Sequence, residues 1–360
     1  MGDRIKSEKR NGLIGMRVIA TLGIALYHFE LSFPFVEGKQ IMSTAYLFVE
    51  FFLVMSGFFM AMTLSRKEKA LYRVMIDRFV RLWPAYIMGL ILLPVVYAIT
   101  WFNGDYVAWL KDGSHLKSYI VEFIMLQCTG ISGLKYINGP TWYVSAMFIC
   151  TPIVYVVIRL KKIGGVLAAV LSAIIYLLAF YYLKEPDMPM EGFIFGYIPA
   201  PLFRALAGML LGVAAYSIFD TLKLVIDRIP SIIATFVEGI FICCIFRMCY
   251  FRQSSFINWL ILIPIVGTII LMMAENKGIF SKVLASKKLD YFAEISYAFY
   301  IMQSFCSNFL SCFLPDIKQP YSTLFYLLLN FGMAVIVHEI FERNISCFLR
   351  NIFNFNRRSA

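Results

Sequence analysis

An arginine and a histidine stand eleven residues apart within one apolar stretch, residues 13 to 33, which reads LIGMRVIATLGIALYHFELSF. On a helix that separation is about three turns plus ~20°, with a rise of roughly 16 Å, so Arg17 and His28 share one face. An ionisable side chain inside a membrane helix is expensive and marks a functional site facing the protein interior or a water-filled cavity. Two in register, one towards each end of the stretch, point to chemistry that spans a bilayer.

Other residues extend this pattern. Glu50, in FVEFFLVMSGFF, falls at a depth similar to His28 in the next apolar stretch. A connection of about ten residues joins the two stretches and favours side-by-side packing. A carboxylate beside a histidine orients the ring and stabilises its charged form, which makes a competent general base. The alternative is a polar pair that ties two helices together. Residues 65–81 (SRKEKALYRVMIDRFVR) hold six basic side chains, and Arg78 and Arg81 directly precede Leu82, Trp83 and Pro84. The planar guanidinium gives phosphate bidentate contacts, so Arg17, Arg78 and Arg81 could receive a phosphate-bearing donor. Arg66, Lys67 and Lys69 read as an ordinary basic loop beside anionic lipid.

The stretch GPTWYVSAMFICTP (139–152) offers Trp142 and Tyr143 either as an aromatic anchor at the membrane surface or as substrate contacts. Arg204, in APLFRALAGMLLG, either snorkels to the surface or faces a cavity and binds a sugar or carboxylate. Ala207, Gly208 and Gly212 beside it predict close helix packing. His115 and His338 read as ordinary polar residues. The sequence contains no phosphate-binding glycine loop, no nucleophile elbow and no HExxH.

The elements that must hold these residues are membrane helices. Over 360 residues the chain is 60% hydrophobic and 15% charged. A soluble domain is roughly 45–50% apolar and about 25% charged. Ten apolar segments can be drawn, at 13–33, 44–64, 82–101, 141–158, 163–183, 200–219, 231–250, 256–274, 292–314 and 322–342, each near the ~20 residues that a spanning helix needs. Residues 118–131 are apolar but short, carry Glu122 and read as a re-entrant or interfacial element. With the N-terminus inside, 23 of the 33 lysines and arginines fall in cytoplasmic segments and 7 in the opposite loops. Arg17, Arg204 and Arg247 lie within spans.

These features predict an all-α, polytopic membrane protein of about ten transmembrane helices with both termini cytoplasmic. It would be a single membrane domain over 1–360 with its core at 11–342. The positive-inside bias accounts for the net charge of +11 without nucleic acid. The basic start leads into an apolar run too long for a signal peptide, which reads as an uncleaved first span. The eight cysteines form no CxxC pair and read as small buried apolar groups, not as a disulfide framework or a metal site.

Several segments together resemble the acyltransferase 3 family of bacterial membrane acyltransferases. NGLIGMRVIATLGIALYHF is similar to that family's "DGLRGIAALLVVLYH" signature, with its arginine and histidine at Arg17 and His28. VEFFLVMSGFFM (49–60) resembles "VDLFFVLSGFL", which places the acidic position at Glu50 and the Ser-Gly at Ser56 and Gly57. IDRFVRLWPAY (76–86) resembles "RRLLRIYPLY", with arginines at Arg78 and Arg81, and AEISYAFYIMQ (293–303) resembles "LGKISYSLYLLH". The chain departs from the family where TWYVSAMFICT replaces an acidic "WSLSVEEQFY" stretch, and where Gln303 stands in place of a common histidine.

The resemblance implies acyl transfer across the bacterial cell membrane. Acyl-coenzyme A, most often acetyl-CoA, is the cytoplasmic donor, and a hydroxyl of an extracytoplasmic glycan or lipid-linked oligosaccharide is the acceptor. Arg17, Arg78 and Arg81 would grip the phosphates of the donor, His28 and Glu50 would carry the transfer, and no cofactor would be permanently bound. Besides membrane lipid, the donor and the acceptor are the partners expected. Without a C-terminal hydrolase-like domain, the chain would finish the transfer itself or use a separate partner. A multi-span transporter or flippase of glycan precursors is the alternative, and it predicts a repeat symmetry between halves that the sequence does not display.

Overall fold

A computed structural model describes residues 12–101, 115–131, 136–183, 192–250 and 256–355. The basic N-terminal residues 1–11 and the last five residues lie outside it. Thirteen α-helices run along the described residues: α1 (Leu13–Glu30), α2 (Phe48–Arg66), α3 (Leu71–Trp101), α4 (His115–Phe123), α5 (Trp142–Arg159), α6 (Lys161–Leu183), α7 (Ala200–Arg228), α8 (Ser231–Tyr250), α9 (Phe256–Glu275), α10 (Ile279–Leu284), α11 (Asp290–Phe313), α12 (Tyr321–Ile336) and α13 (Arg343–Phe355). A π-helical turn, Val337–Glu342, joins the last two. The strands among the described residues form one small antiparallel pair, Phe193–Ile194 with Ile198–Pro199, beside an isolated bridge between Val36 and Lys39.

Each of the ten expected segments forms a helix. By length and composition, seven of the described helical stretches can cross a membrane, or eight if the bent pair Thr221–Arg228 and Ser231–Arg247 is one span. The chain is therefore an all-α polytopic membrane protein. Helix α11 falls short of that test because one of its faces carries Ser296, Tyr297, Tyr300, Gln303 and Ser307. All five are buried within the protein instead of facing lipid.

Helix α3 begins eleven residues before the expected span. No proline or glycine interrupts Leu71–Arg81, and Val74, Asp77, Arg78, Arg81 and Leu82 fall at helical spacing. The arginines expected in a loop are thus held on a rigid surface. Pro84 and Pro94 sit inside this helix, where neighbouring helices can meet the freed backbone groups.

Helices α2 and α7 pack backbone to backbone. A Cβ on Gly57 would stand 1.9 Å from the Met209 carbonyl oxygen, and one on Gly212 would stand 2.0 Å from the Val54 carbonyl oxygen. Only glycine permits that approach, as the small residues in the sequence led us to expect. Helix α11 packs between α1, α3 and α12. It runs in the same direction as α1: Thr21 and Ser296 border the same cavity, and further along His28 meets Gln303.

The segment with Glu122 folds as α4 and a following 3-10 turn, Gln127–Thr129, packed on α3 and α5. Gln127 donates to the Tyr86 hydroxyl at 2.7 Å, and the Cys128 amide donates to Ser145 Oγ at 3.2 Å. Glu122 is fully buried and accepts a hydrogen bond from the Ile137 amide, which fixes the approach to α5. Burial raises its carboxyl to about 8.

Candidate functional site

A cavity of about 580 Å³ opens between α1, α2, α3, α5, α11 and the π-helical turn. Each helix contributes one stripe. Helix α1 gives Leu13, Ile14, Arg17 and Thr21, and α2 gives Phe52, Met55, Ser56, Phe59, Met60 and Thr63. Helix α3 gives its 74–82 stripe. The recurrence at three and four residues is the α-helical period, so the cavity follows from helix geometry acting on sequence.

Arg17, Arg78 and Arg81, expected to act together, all line this cavity. Arg78 Nη2 donates to Ser56 Oγ at 2.6 Å, while its Nη1 is buried without a hydrogen-bond partner. Arg17 and Arg81 lie close enough to repel each other. Two other groups in the wall are already paired: Lys69 with Asp77 at 2.5 Å, and His338 Nδ1 with Glu342 at 2.9 Å. Among the described residues none of the three guanidiniums forms an ion pair, although Glu294 and Glu342 share the cavity wall and Glu342 lies near Arg17; the guanidinium fork has the geometry that suits phosphate.

His338 was read from sequence as an ordinary polar residue; the π-helical turn instead aims it and Glu342 into the cavity. The signal available was the i, i+4 spacing of a histidine and a glutamate. The opposite wall holds Tyr143, Tyr297 and Tyr300, and the Tyr143 and Tyr300 rings meet edge to face at 4.9 Å. Tyr143 is thus a cavity residue and not a membrane-surface anchor.

His28 lies two turns beyond Thr21 on the same stripe of α1. Its Nδ1 is 2.9 Å from the Ile24 carbonyl oxygen one turn back. A carbonyl only accepts, so Nδ1 carries the proton in this bond. The neutral ring then presents Nε2 as a lone pair, the tautomer that a general base requires. Gln303 of α11 stands beside the ring.

Glu50 is not the partner of His28, which corrects the sequence expectation. Its carboxylate forms a buried ion pair with Arg204 Nε and accepts from the Tyr176 hydroxyl at 2.8 Å. The Arg204 guanidinium also lies over the Trp142 ring, 5.1 Å from its centroid. Arg204 is 1% exposed and Glu50 2%, and neither they nor Trp142 line the arginine cavity. The reason is electrostatic. The close approach at Gly208 and Gly212 brings α7 against α2 at the depth of Glu50, and a carboxylate buried there is tolerable only with a cation beside it. These three residues form a clamp across α2, α5 and α7, with Tyr176 adding α6. Trp142 and Arg204, expected as substrate contacts, here contact each other and Glu50.

A family model described as an acyltransferase domain, of the acyltransferase 3 type, matches residues 10–339 of the chain. In comparisons with curated proteins and with solved structures, nothing matches.

Proposed function

The chain belongs to the acyltransferase 3 family and is a membrane acyltransferase; from that premise we propose that it moves an acetyl group from acetyl-coenzyme A to a hydroxyl of a glycan or lipid-linked oligosaccharide across a bacterial cell membrane. The observation that carries the reading is the cluster of Arg17, Arg78 and Arg81 in one cavity, on the helical stripe that leads to His28. Coenzyme A is a multiply phosphorylated head on a narrow pantetheine arm. The three arginines take the phosphates, with Ser56 fixing the fork of Arg78. The arm runs along the α1–α11 seam, over the roughly 16 Å that separate Arg17 from His28 along the helix.

At the far end His28 Nε2 removes the proton of the acceptor hydroxyl. The hydroxyl oxygen attacks the thioester carbon, the C–S bond breaks, and the imidazolium returns the proton to the departing coenzyme A sulfur. The products are the acetyl ester and coenzyme A, so atoms and charge balance.

Calorimetric titration of the purified full-length protein with acetyl-coenzyme A tests the donor site. Each arginine–phosphate contact is worth about 1.5–3 kcal/mol. Arg78→Ala should therefore weaken binding by about tenfold or more. His28→Ala should bind the donor normally and deliver no acetyl to cell-surface glycans, as read by mass spectrometry. Unchanged affinity after replacing all three arginines would refute the donor site, and normal glycan acetylation by His28→Ala would refute the base.

A further inference from the structure

Among the described residues three tyrosines line the arginine cavity, and two of them have spent their hydroxyls. Tyr297 donates to the Leu82 carbonyl oxygen at 3.0 Å, and Tyr300 donates to the Pro140 carbonyl oxygen. Tyr143 is only 6% exposed, yet among the described residues its hydroxyl has no hydrogen-bond partner. Its ring is held by neighbours, edge to face on Tyr300 at 4.9 Å and 6.3 Å from Phe52. A fixed ring with an uncommitted hydroxyl on a cavity wall is a ready donor for whatever enters.

The place of Tyr143 says which part of a ligand it meets. Helix α2 borders the cavity from Phe52 to Leu64, and α11 from Ala293 to Tyr300. Phe52 and Tyr300 both meet Tyr143, so these three close the same end. Helix α11 runs in the direction of α1, so this end is also the one marked by Thr21, beyond which α1 continues to His28. Arg17 and Arg81 each lie close enough to act electrostatically on the Tyr143 hydroxyl, as they do on each other. Of the acidic groups in the wall, Asp77 is paired with Lys69 and Glu342 with His338. Glu294 is six residues before Tyr300, about 9 Å back along α11.

We propose that Tyr143 is a donor-binding residue whose hydroxyl, together with Arg17 and Arg81, holds the phosphate that carries the pantetheine arm. The inference rests on the donor reading above and narrows the substrate class within it. In coenzyme A the arm hangs from one phosphate of the diphosphate, and the 3′-phosphate sits on the ribose at the other side. An arm that continues to His28 puts its own phosphate at the His28 end of the cavity, where these three groups converge. Two guanidiniums and a phenol offer only donors, and a phosphate oxygen accepts from all of them. The nucleotide lies outside this contact, so an acyl-4′-phosphopantetheine is the smallest donor that retains it.

The experiment is calorimetric titration of the full-length purified protein with acetyl-coenzyme A, S-acetyl-4′-phosphopantetheine and S-acetylpantetheine. The last two differ only in the phosphate. The wild type should bind the phosphorylated arm at least tenfold more tightly than the bare arm, the least that a hydrogen bond to a charged group is worth. Tyr143→Phe keeps the ring and removes the hydroxyl. It should weaken acetyl-coenzyme A and S-acetyl-4′-phosphopantetheine by the same factor, about tenfold, with an unchanged melting temperature in detergent. A wild type that binds the phosphorylated and bare arms equally overturns the inference without any variant. A Tyr143→Phe protein that keeps wild-type affinity for S-acetyl-4′-phosphopantetheine also overturns it. Both results leave the donor site standing as long as acetyl-coenzyme A binds. Absence of acetyl-coenzyme A binding to the wild type overturns the donor reading itself.

Discussion

Glu50→Ala should cost the protein about 3–5 kcal/mol, because it removes the buried carboxylate that faces the Arg204 guanidinium. Arg204 is 1% exposed, so water cannot solvate it when the carboxylate is removed. The Trp142 face at 5.1 Å remains, but a cation–π contact is worth about 0.5–2 kcal/mol and does not replace a counter-ion. Tyr176 also loses its acceptor. Removing both charges has a different consequence. Glu50→Leu combined with Arg204→Met fills similar volume with apolar atoms, and such exchanges of buried pairs are often neutral or stabilising.

The double variant should therefore unfold within about 1 kcal/mol of wild type, well above either Glu50→Leu or Arg204→Met alone, and the departure from additivity in that cycle measures the coupling of the pair. Unfolding in mixed detergent micelles, followed by tryptophan fluorescence, reads these differences. A base-orienting role for Glu50 makes the opposite forecast: stability near wild type and an altered pH profile of transfer. The clamp is refuted if Glu50→Ala unfolds within about 1 kcal/mol of wild type, or if the double variant is as unstable as the worse single one.

Other outcomes follow from neighbouring features. Ser56→Ala removes the hydroxyl that holds Arg78 Nη2 and should weaken acetyl-coenzyme A binding by about three- to tenfold with little change in melting temperature. Gly57→Ala pushes a methyl group onto the Met209 carbonyl and should destabilise the α2–α7 contact by about 1–3 kcal/mol or more, seen as a lower melting temperature in detergent. The Glu122 carboxyl is raised from the usual 4.5 to about 8 by burial, so between those values the folded state holds a proton that the unfolded state lacks. Stability should then fall as pH climbs from about 5 to 8 and level off beyond; Glu122→Gln keeps an acceptor for the Ile137 amide and should flatten that slope in melting experiments against pH.

The parts of this fold governed by local periodicity were legible in the sequence. Apolar runs of bilayer length marked the helices, and an eleven-residue spacing put Arg17 and His28 on one stripe. Ala207, Gly208 and Gly212 announced a close crossing, which α7 makes with α2. What escaped depends on contacts between distant segments. Glu50 could be matched to His28 by depth alone, whereas its partner lies 154 residues on and is selected by the glycine-lined crossing. His338 looked ordinary because a π-helical turn, not the α-helical period, sets its direction. Residues 71–81 read as a loop because their charge density masks a helix whose polar face looks into a cavity. Helix α11 sits near the limit for the same reason: its inward face is too polar to look like a span.

The bond from His28 to Ile24 is made within a single turn of α1. The ring is aimed by its own secondary structure, so its tautomer survives rearrangement of any neighbouring side chain and is lost only if that turn unwinds. Substitutions around it, at Gln303 for instance, are then free to retune what the imidazole meets without re-aiming it.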